Sequence, residues 1–310
     1  MQEQITSNIL MIRPVNFDYN EETAYSNKFQ KKFEKDDFFA QDSAQESFDF
    51  FVKQLKINGI NIFLYEDTPE PFTPDSIFPN NWISMHYSGK VILYPMEAEN
   101  RRAERRLDIV DDLRKHFDLD VVLDFSHFEK EGKFLEGTGS LVLDRMQRIA
   151  YACLSSRTNE EVLKAWQKQM NGYEVVKFHA SDRFEEPIYH TNVMMCMGDN
   201  FCVVCLDSVK DLDERLMLKQ KLESSGKEII EITLEQMENF AGNMLLVKNN
   251  LEKKFLVMSE RALNSLTPLQ VNNLEEKAEI LACDLGVIET LGGGSARCML
   301  AEIHLPKLEN

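Results

Sequence analysis

Apolar and polar positions along this chain repeat one local order five times. An amphipathic helical stretch stops at a Gly or Asp, and a short apolar strand follows. The order occurs as KINGINIFLY around Gly59, HFDLDVVLDF around Asp118 and QMNGYEVVKF around Gly172, then as SSGKEIIEI around Gly226 and CDLGVIETL around Gly286. A Gly just past a helix end accepts the left-handed cap conformation. In the first helix Phe48, Phe51, Val52 and Leu55 share one face. A polar loop follows each strand. Then comes a hairpin of two apolar runs: WISMHYSGKVILYPM, SLVLDRMQRIAYACL, NVMMCMGDNFCVVCL and NMLLVKNNLEKKFLVM, with Gly, Asp and Asn at the turns. Further helices follow the hairpins, with Thr158 and Ser259 placed as N-caps.

The fifth unit has one hairpin strand, within CMLAEIHL near the C-terminus. A partner is available in NILMIRP, Asn8 to Pro14. The pattern therefore predicts an α/β fold of five strand–strand–helix–strand units around an axis, with the N-terminal strand closing the ring. It treats residues 1–310 as one domain. An ordinary α/β sheet with similar alternation is the competing architecture.

Charge and composition narrow the function. The 310 residues carry 35 Lys and Arg against 52 Asp and Glu, a net charge of −17. That balance disfavours nucleic acid and anionic membrane surfaces as partners. No apolar run of membrane-spanning length and no signal-like N-terminus is present. The six Cys then read as cytoplasmic thiols. Cys202 and Cys205 form a CxxC inside a strand pattern, where residues three apart face opposite ways, so no metal site is expected. No cofactor motif is present either. GGGS lacks the GK[ST] of a P-loop, and it falls too late in the chain for a dinucleotide-binding turn.

In a ring, the five polar loops emerge at one end near the axis. They hold Asp75, Asn80 and Asn81, then Glu136, then His190 and Asn192, then Asn243, then Cys298. A nucleophile, a base, a carboxylate and several amides would converge there. Loops placed by a rigid scaffold are where catalysis concentrates. Singly, each has a plainer explanation: a small buried hydrophobe for the Cys, a structural His, a solvated Glu. Gly292 to Gly294 before Cys298 would let backbone amides approach a ligand, and would equally suit a mobile loop. Their joint placement carries the inference.

These segments resemble the guanidino-modifying enzymes, or amidinotransferase superfamily. GGGSARCM is similar to the cysteine loop of arginine deiminases. PDSIF resembles the PDxxF motif of dimethylarginine dimethylaminohydrolases, LSSRTNEE resembles their S-x-R-T-N segment, and FLEGTGS their E-G-G-D loop. The pieces span nearly the whole chain in the family order, and with HTNVMM and LEGTGSLVLDR they look closest to the citrulline-utilisation hydrolase branch. The resemblance implies the five-bladed α/β propeller, or pentein, with pseudo-fivefold ββαβ repeats. It implies Cys298 as nucleophile, His190 as general acid/base and Glu136 as the carboxylate that binds the substrate head and orients His190. Asp75 would hold the substrate α-amino group. Arg157 and one of Arg101 or Arg102 would hold its α-carboxylate, although those last two also suit a solvated helix face. Asn81, Asn192 and Asn243 complete the expected substrate contacts. No metal or cofactor is implied, and a homodimer is plausible for the class.

Two departures point to the substrate. Asn81 and Asn192 stand where arginine deiminases place aspartates. A buried guanidinium short of carboxylate partners is costly. A neutral ureido group can be matched by amides instead. The expectation is a cytoplasmic hydrolase of citrulline, giving ornithine, ammonia and carbon dioxide. The alternatives are an arginine deiminase or dimethylarginine dimethylaminohydrolase, an amidinotransferase, and a non-enzymatic binding protein of the same fold.

Overall fold

The computed structural model describes residues 3–32 and 40–308. Among the described residues, the strands form five three-stranded sheets. β1 (Asn8–Arg13) runs parallel to β2 (Asn61–Glu66). β3 (Ile83–Met85) is antiparallel to β4 (Lys90–Leu93), which is parallel to β5 (Val121–Asp124). The order repeats in β6 (Leu141–Asp144), β7 (Ile149–Cys153) and β8 (Glu174–Phe178). It repeats again in β9 (Met195–Met197), β10 (Phe201–Val204) and β11 (Glu228–Glu231). The fourth copy is β12 (Leu245–Lys248), β13 (Lys254–Ser259) and β14 (Glu279–Cys283). Finally β15 (Ala301–Glu302) adds to β1 in antiparallel register, Ile9 opposite Glu302 and Leu10 opposite Ala301.

A parallel pair cannot be joined by a tight turn. Each such pair is bridged by a helix: Ala40–Ile57, Leu107–Leu113, Glu160–Gln169, Leu212–Ser224 and Pro268–Glu275. The first buries Phe48, Phe51, Val52 and Leu55, the face set by their spacing. Trp166 fixes the third helix: it is fully buried and its indole N–H donates to Tyr94 Oη at 3.0 Å. The antiparallel outer strands also meet one another. β15 contacts β3, β6 contacts β9, and β9 contacts β12.

Two local expectations need correction. CDLGVIETL is not the fifth strand. Residues Gly286–Gly292 are helical, and the strand is β14, just ahead of them. Leu285, Ile288 and Leu291 are buried at helical spacing, and the Asp284 side chain accepts the Gly286 N–H at the turn. The third helix is capped by Asn159, whose side chain accepts the Glu161 and Val162 amides. Thr158 is held extended by bridges to Leu135 and Ser155. Ser259 does cap its helix, accepting the Ala262 amide.

Because Phe48 is fully buried in the cluster that also holds Cys298, Phe48→Ala should destabilise the fold by about 3–5 kcal/mol. Urea denaturation followed by circular dichroism measures this.

Candidate active site

The loops ahead of the hairpins end in short turns. These are Pro79–Asn81, Gly137–Ser140, Thr191–Met194 and Ala296–Met299. A fifth, ahead of β12, is closed by the Asn243 amide on Phe240 O at 2.8 Å. The turn Gly137–Ser140 packs on both Pro79–Asn81 and Thr191–Met194, and Pro79–Asn81 packs on Ala296–Met299. The approach is close enough to demand glycine. A Cβ at Gly139 would lie 2.4 Å from Asn81 Nδ2 and 2.8 Å from His190 Nδ1.

Convergence produces a small cavity lined by Asp75, Asn81, Arg101, Arg157, His190 and Cys298, with Phe78, Tyr189 and backbone from the glycine run. Its free space is about 10 Å³, on the order of one water molecule. Cys298 is buried, and its Sγ lies 3.3 Å from Asn243 Nδ2 and 3.5 Å from Asn192 Nδ2. His190 donates from Nε2 to Glu136 Oε2 at 2.8 Å, which leaves Nδ1 as the basic nitrogen. Glu136 is fully buried. Its Oε2 also faces Arg157 at 3.4 Å and Arg101 at 3.8 Å, and its Oε1 accepts the Glu97 amide at 2.9 Å. Burial pushes the Glu136 pKa up. Arg157, the His190 hydrogen bond and Arg101 outweigh burial and hold the carboxyl well below its usual range. Burial dominates at His190 and lowers it to about 4, although Glu136 pulls the other way.

Arg101 is buried, with Nε and Nη2 both 2.9 Å from Glu104, while Nη1 donates to Asn81 Oδ1 at 2.9 Å. Arg157 stacks 5.0 Å from the Tyr189 ring and pairs with Glu97 at 3.3 Å. Asp75 Oδ2 accepts from Asn20 at 2.8 Å and Thr23 at 3.3 Å, and its Oδ1 has no partner. Asn81 Nδ2 and Asn192 Oδ1 are likewise buried and unpartnered. Arg102 stands apart. It is partly exposed, donates to Met96 O and Glu97 O, and lies over Phe134. The pair of candidates at 101 and 102 is thus resolved in favour of Arg101 as the cavity residue.

Gly292 and Gly294 line the cavity, and the same glycines make room for an aromatic ring. Gly292 and Gly294 accommodate the Phe78 ring, to which a Cβ would come within 2.7 to 2.8 Å. The sequence reading also passed over the cover of the cavity, residues 17–32. Asn27 donates to Gly292 O, Gln30 to Leu291 O, and the Lys31 amide to Thr290 O. Ser26 Oγ accepts from Arg157, and Thr23 O accepts its Nη2. The segment has no periodic apolar pattern, and its only sequence signal is a run of amide and hydroxyl side chains. Among the described residues no group of three or more His, Cys, Asp or Glu could hold a metal ion. No helix there is long and apolar enough to cross a membrane.

Residues 13–305 match the family described as "N,N dimethylarginine dimethylhydrolase, eukaryotic". The chain belongs to this family. A dimethylarginine dimethylhydrolase of this kind is a hydrolase acting on carbon–nitrogen bonds, of the guanidino-modifying pentein type. No curated protein sequence matches the chain. The fold is also that of several solved structures. The N-terminal domain of ArgZ, an arginine dihydrolase from the ornithine–ammonia cycle in cyanobacteria, is similar at 18% identity and TM-score 0.73, and the match covers 97% of this chain and 99% of that domain. Full-length ArgZ is spanned over only 41% of its length. AgrE is similar at 18% identity and TM-score 0.74, over 98% of this chain and 40% of its own. A dimethylarginine dimethylaminohydrolase adduct with S-methyl-L-thiocitrulline is similar at 15% identity and TM-score 0.64, over 96% of this chain and 100% of its own.

His190 and Glu136 both make stability rise with pH. The unfolded His binds a proton below its ordinary 6.5, whereas the folded one does so only near pH 4. Stability is therefore lost as pH falls from about 6.5 towards 4, and the depressed Glu136 deepens the loss below its unfolded value. In thermal melts across pH 4–7, His190→Gln should flatten the slope by up to about one proton.

Proposed function

We propose that the protein hydrolyses citrulline to ornithine, ammonia and carbon dioxide, within the citrulline-utilisation branch of its superfamily. The observation that carries this reading is the bonding state of the polar atoms around the cavity. Glu136 is engaged by His190, Arg157 and Arg101, and Glu104 and Glu97 are engaged by Arg101 and Arg157. Among the described residues that line the cavity, Asp75 Oδ1 is the carboxylate oxygen without a partner, and it suits the α-amino group. With Asp75 given to the α-amino group, the described residues lining the cavity leave no second free carboxylate for a cationic head. Asn81 offers a donor, because Arg101 occupies its oxygen, and Asn192 offers an acceptor, because its nitrogen faces Cys298. One donor and one acceptor match a ureido C=O and N–H.

In the proposed reaction the Cys298 proton passes to His190 and the sulfur attacks the ureido carbon. The imidazolium gives that proton to the departing side-chain nitrogen, releasing ornithine. Water then adds to the thiocarbamate and yields its proton to His190, the S–C bond breaks, and carbamate decays to ammonia and carbon dioxide. Arg101 and Arg157 hold the α-carboxylate. An amino acid exceeds the present cavity, so residues 17–32 must withdraw to admit it. The repeated sheet order and the contacts between outer strands support a closed five-bladed propeller acting as one catalytic domain. The six free thiols suit a reducing cytoplasm.

A second reading is arginine dihydrolysis. ArgZ is described as an arginine dihydrolase, and AgrE has been captured with L-arginine and with ornithine and NAD+. Incubation with citrulline, arginine or dimethylarginine separates the two. Ornithine from citrulline alone supports the first reading, ornithine from arginine supports the second, and citrulline as the end product from arginine or dimethylarginine rejects both. Cys298→Ala should abolish turnover. Asn81→Asp combined with Asn192→Asp should raise the arginine-to-citrulline ratio of kcat/KM by about tenfold or more, the worth of one charge-assisted hydrogen bond.

A further inference from the structure

Among the described residues, the side-chain nitrogens at hydrogen-bond distance from the nucleophilic sulfur belong to amides rather than to an imidazole. Asn192 and Asn243 point Nδ2 at Cys298 Sγ. They differ in how firmly they are held. Asn192 has one amide atom free. Asn243 has neither, because Oδ1 accepts the Arg297 backbone N–H at 3.1 Å and Nδ2 also donates to Asn192 O at 3.0 Å. These two main-chain partners hold the amide side-on to the sulfur, with Nδ2 at 3.3 Å nearer than Oδ1 at 3.6 Å. The turn that carries Asn243 is equally constrained. A Cβ at Gly242 would lie 2.3 Å from Val193 O, so this loop is pressed against the one bearing His190 and Asn192.

We infer that Asn243 is a catalytic residue whose N–H stabilises negative charge on the Cys298 sulfur, rather than a substrate contact. The inference rests on Cys298 being the nucleophile, and on no choice among ureido and guanidino substrates. The donor acts twice. It favours the sulfur anion that attacks, and it receives the electron pair returned to sulfur when the S–C bond breaks and His190 has taken the proton of water. The neutral thiol has its own contact, with S–H directed at Asn243 Oδ1 at 3.6 Å. The amide therefore accompanies the sulfur through both protonation states without moving. A donor set in place before the reaction costs no reorganisation when charge develops.

The decisive variant is Asn243→Asp, which keeps the shape and the Arg297 contact but turns the donor into a second acceptor. Alkylation of Cys298 by iodoacetamide at neutral pH reads the sulfur anion without any substrate. The other five thiols stay silent: burial pushes Cys205 up to about 11 and Cys153, Cys196 and Cys283 up to about 12, and holds Cys202 well above its ordinary value. The expected result is alkylation slowed at least about tenfold, kcat lowered about 10²-fold with KM within about threefold, and a covalent intermediate visible by mass after acid quench. If the buried carboxylate prevents folding, as a thermal melt would reveal, Asn243→Ala supplies the same readouts. Wild-type alkylation in a folded variant overturns the inference. So does a loss confined to KM, which would return Asn243 to the substrate contacts. Slowed alkylation in a protein that consumes none of the three amino acids would uphold Asn243 while rejecting the proposed substrates.

Discussion

Taking a carboxylate out of water costs several kcal/mol unless charge and hydrogen bonds replace what water supplied. Glu136 is fully buried where the loops meet, and the arrangement around it follows from that cost. Two guanidinium groups, from different stretches of chain, must stand within 4 Å of it, and His190 must turn Nε2 towards it. Those demands fix the remaining members of the site. Arg101 so placed orients Asn81, and Arg157 so placed reaches Thr23 and Ser26 in the covering segment. Glu136 is the counter-charge that lets two arginines and a neutral histidine share a nearly dry cavity.

The scaffold meets this demand by repetition. Every sheet delivers its leading loop from the start of an antiparallel outer strand, and those strands lie against one another. Small residues at the contact points allow the loops to meet without opening voids between them. One arrangement of elements can thus be retained while most side chains change, as the 15–18% identity to structures of the same fold illustrates.

Much of this was legible in the sequence because it depends on period. Four of the five recurrences of helix, stop and strand located their strands, and the pairing of Asn8–Arg13 with the C-terminal strand followed from the one unit lacking a partner. Period also explains the failure at Gly286. A short apolar run fits helix and strand alike, and only the spacing of Leu285, Ile288 and Leu291 distinguishes them. Site residues next to sharp motifs were named, since Asp75, Glu136, His190 and Cys298 each lie in a turn rich in Gly, Pro or Asn. What tertiary structure alone decides was not readable. Arg101 and Arg102 are neighbours on one short helix, yet only the first turns inward to Glu104, Asn81 and Glu136. The cover at 17–32 is polar and aperiodic. Its bonds run to residues far away in the chain, such as Gly292 and Arg157, and nothing local announces them.

The pairing of β1 with β15 also bears on the order in which the protein is made. Thr6 Oγ1 donates to Ile303 O, and the Ile303 amide to Asn8 O, across almost the entire length of the chain. The turn carrying Cys298 is tied directly to that last strand. A nascent chain emerging from the ribosome therefore presents four sheets and four of the five loops before it can seat the fifth. Until residues 301–303 are free to dock, β1 lacks one neighbour and the cysteine has no fixed place beside Asn192 and Asn243. Contacts this distant in sequence form late, because the chain must first bear the entropy of closing the loop. The placement of the Cys298 sulfur thus depends on a strand whose contacts reach back 297 residues along the sequence.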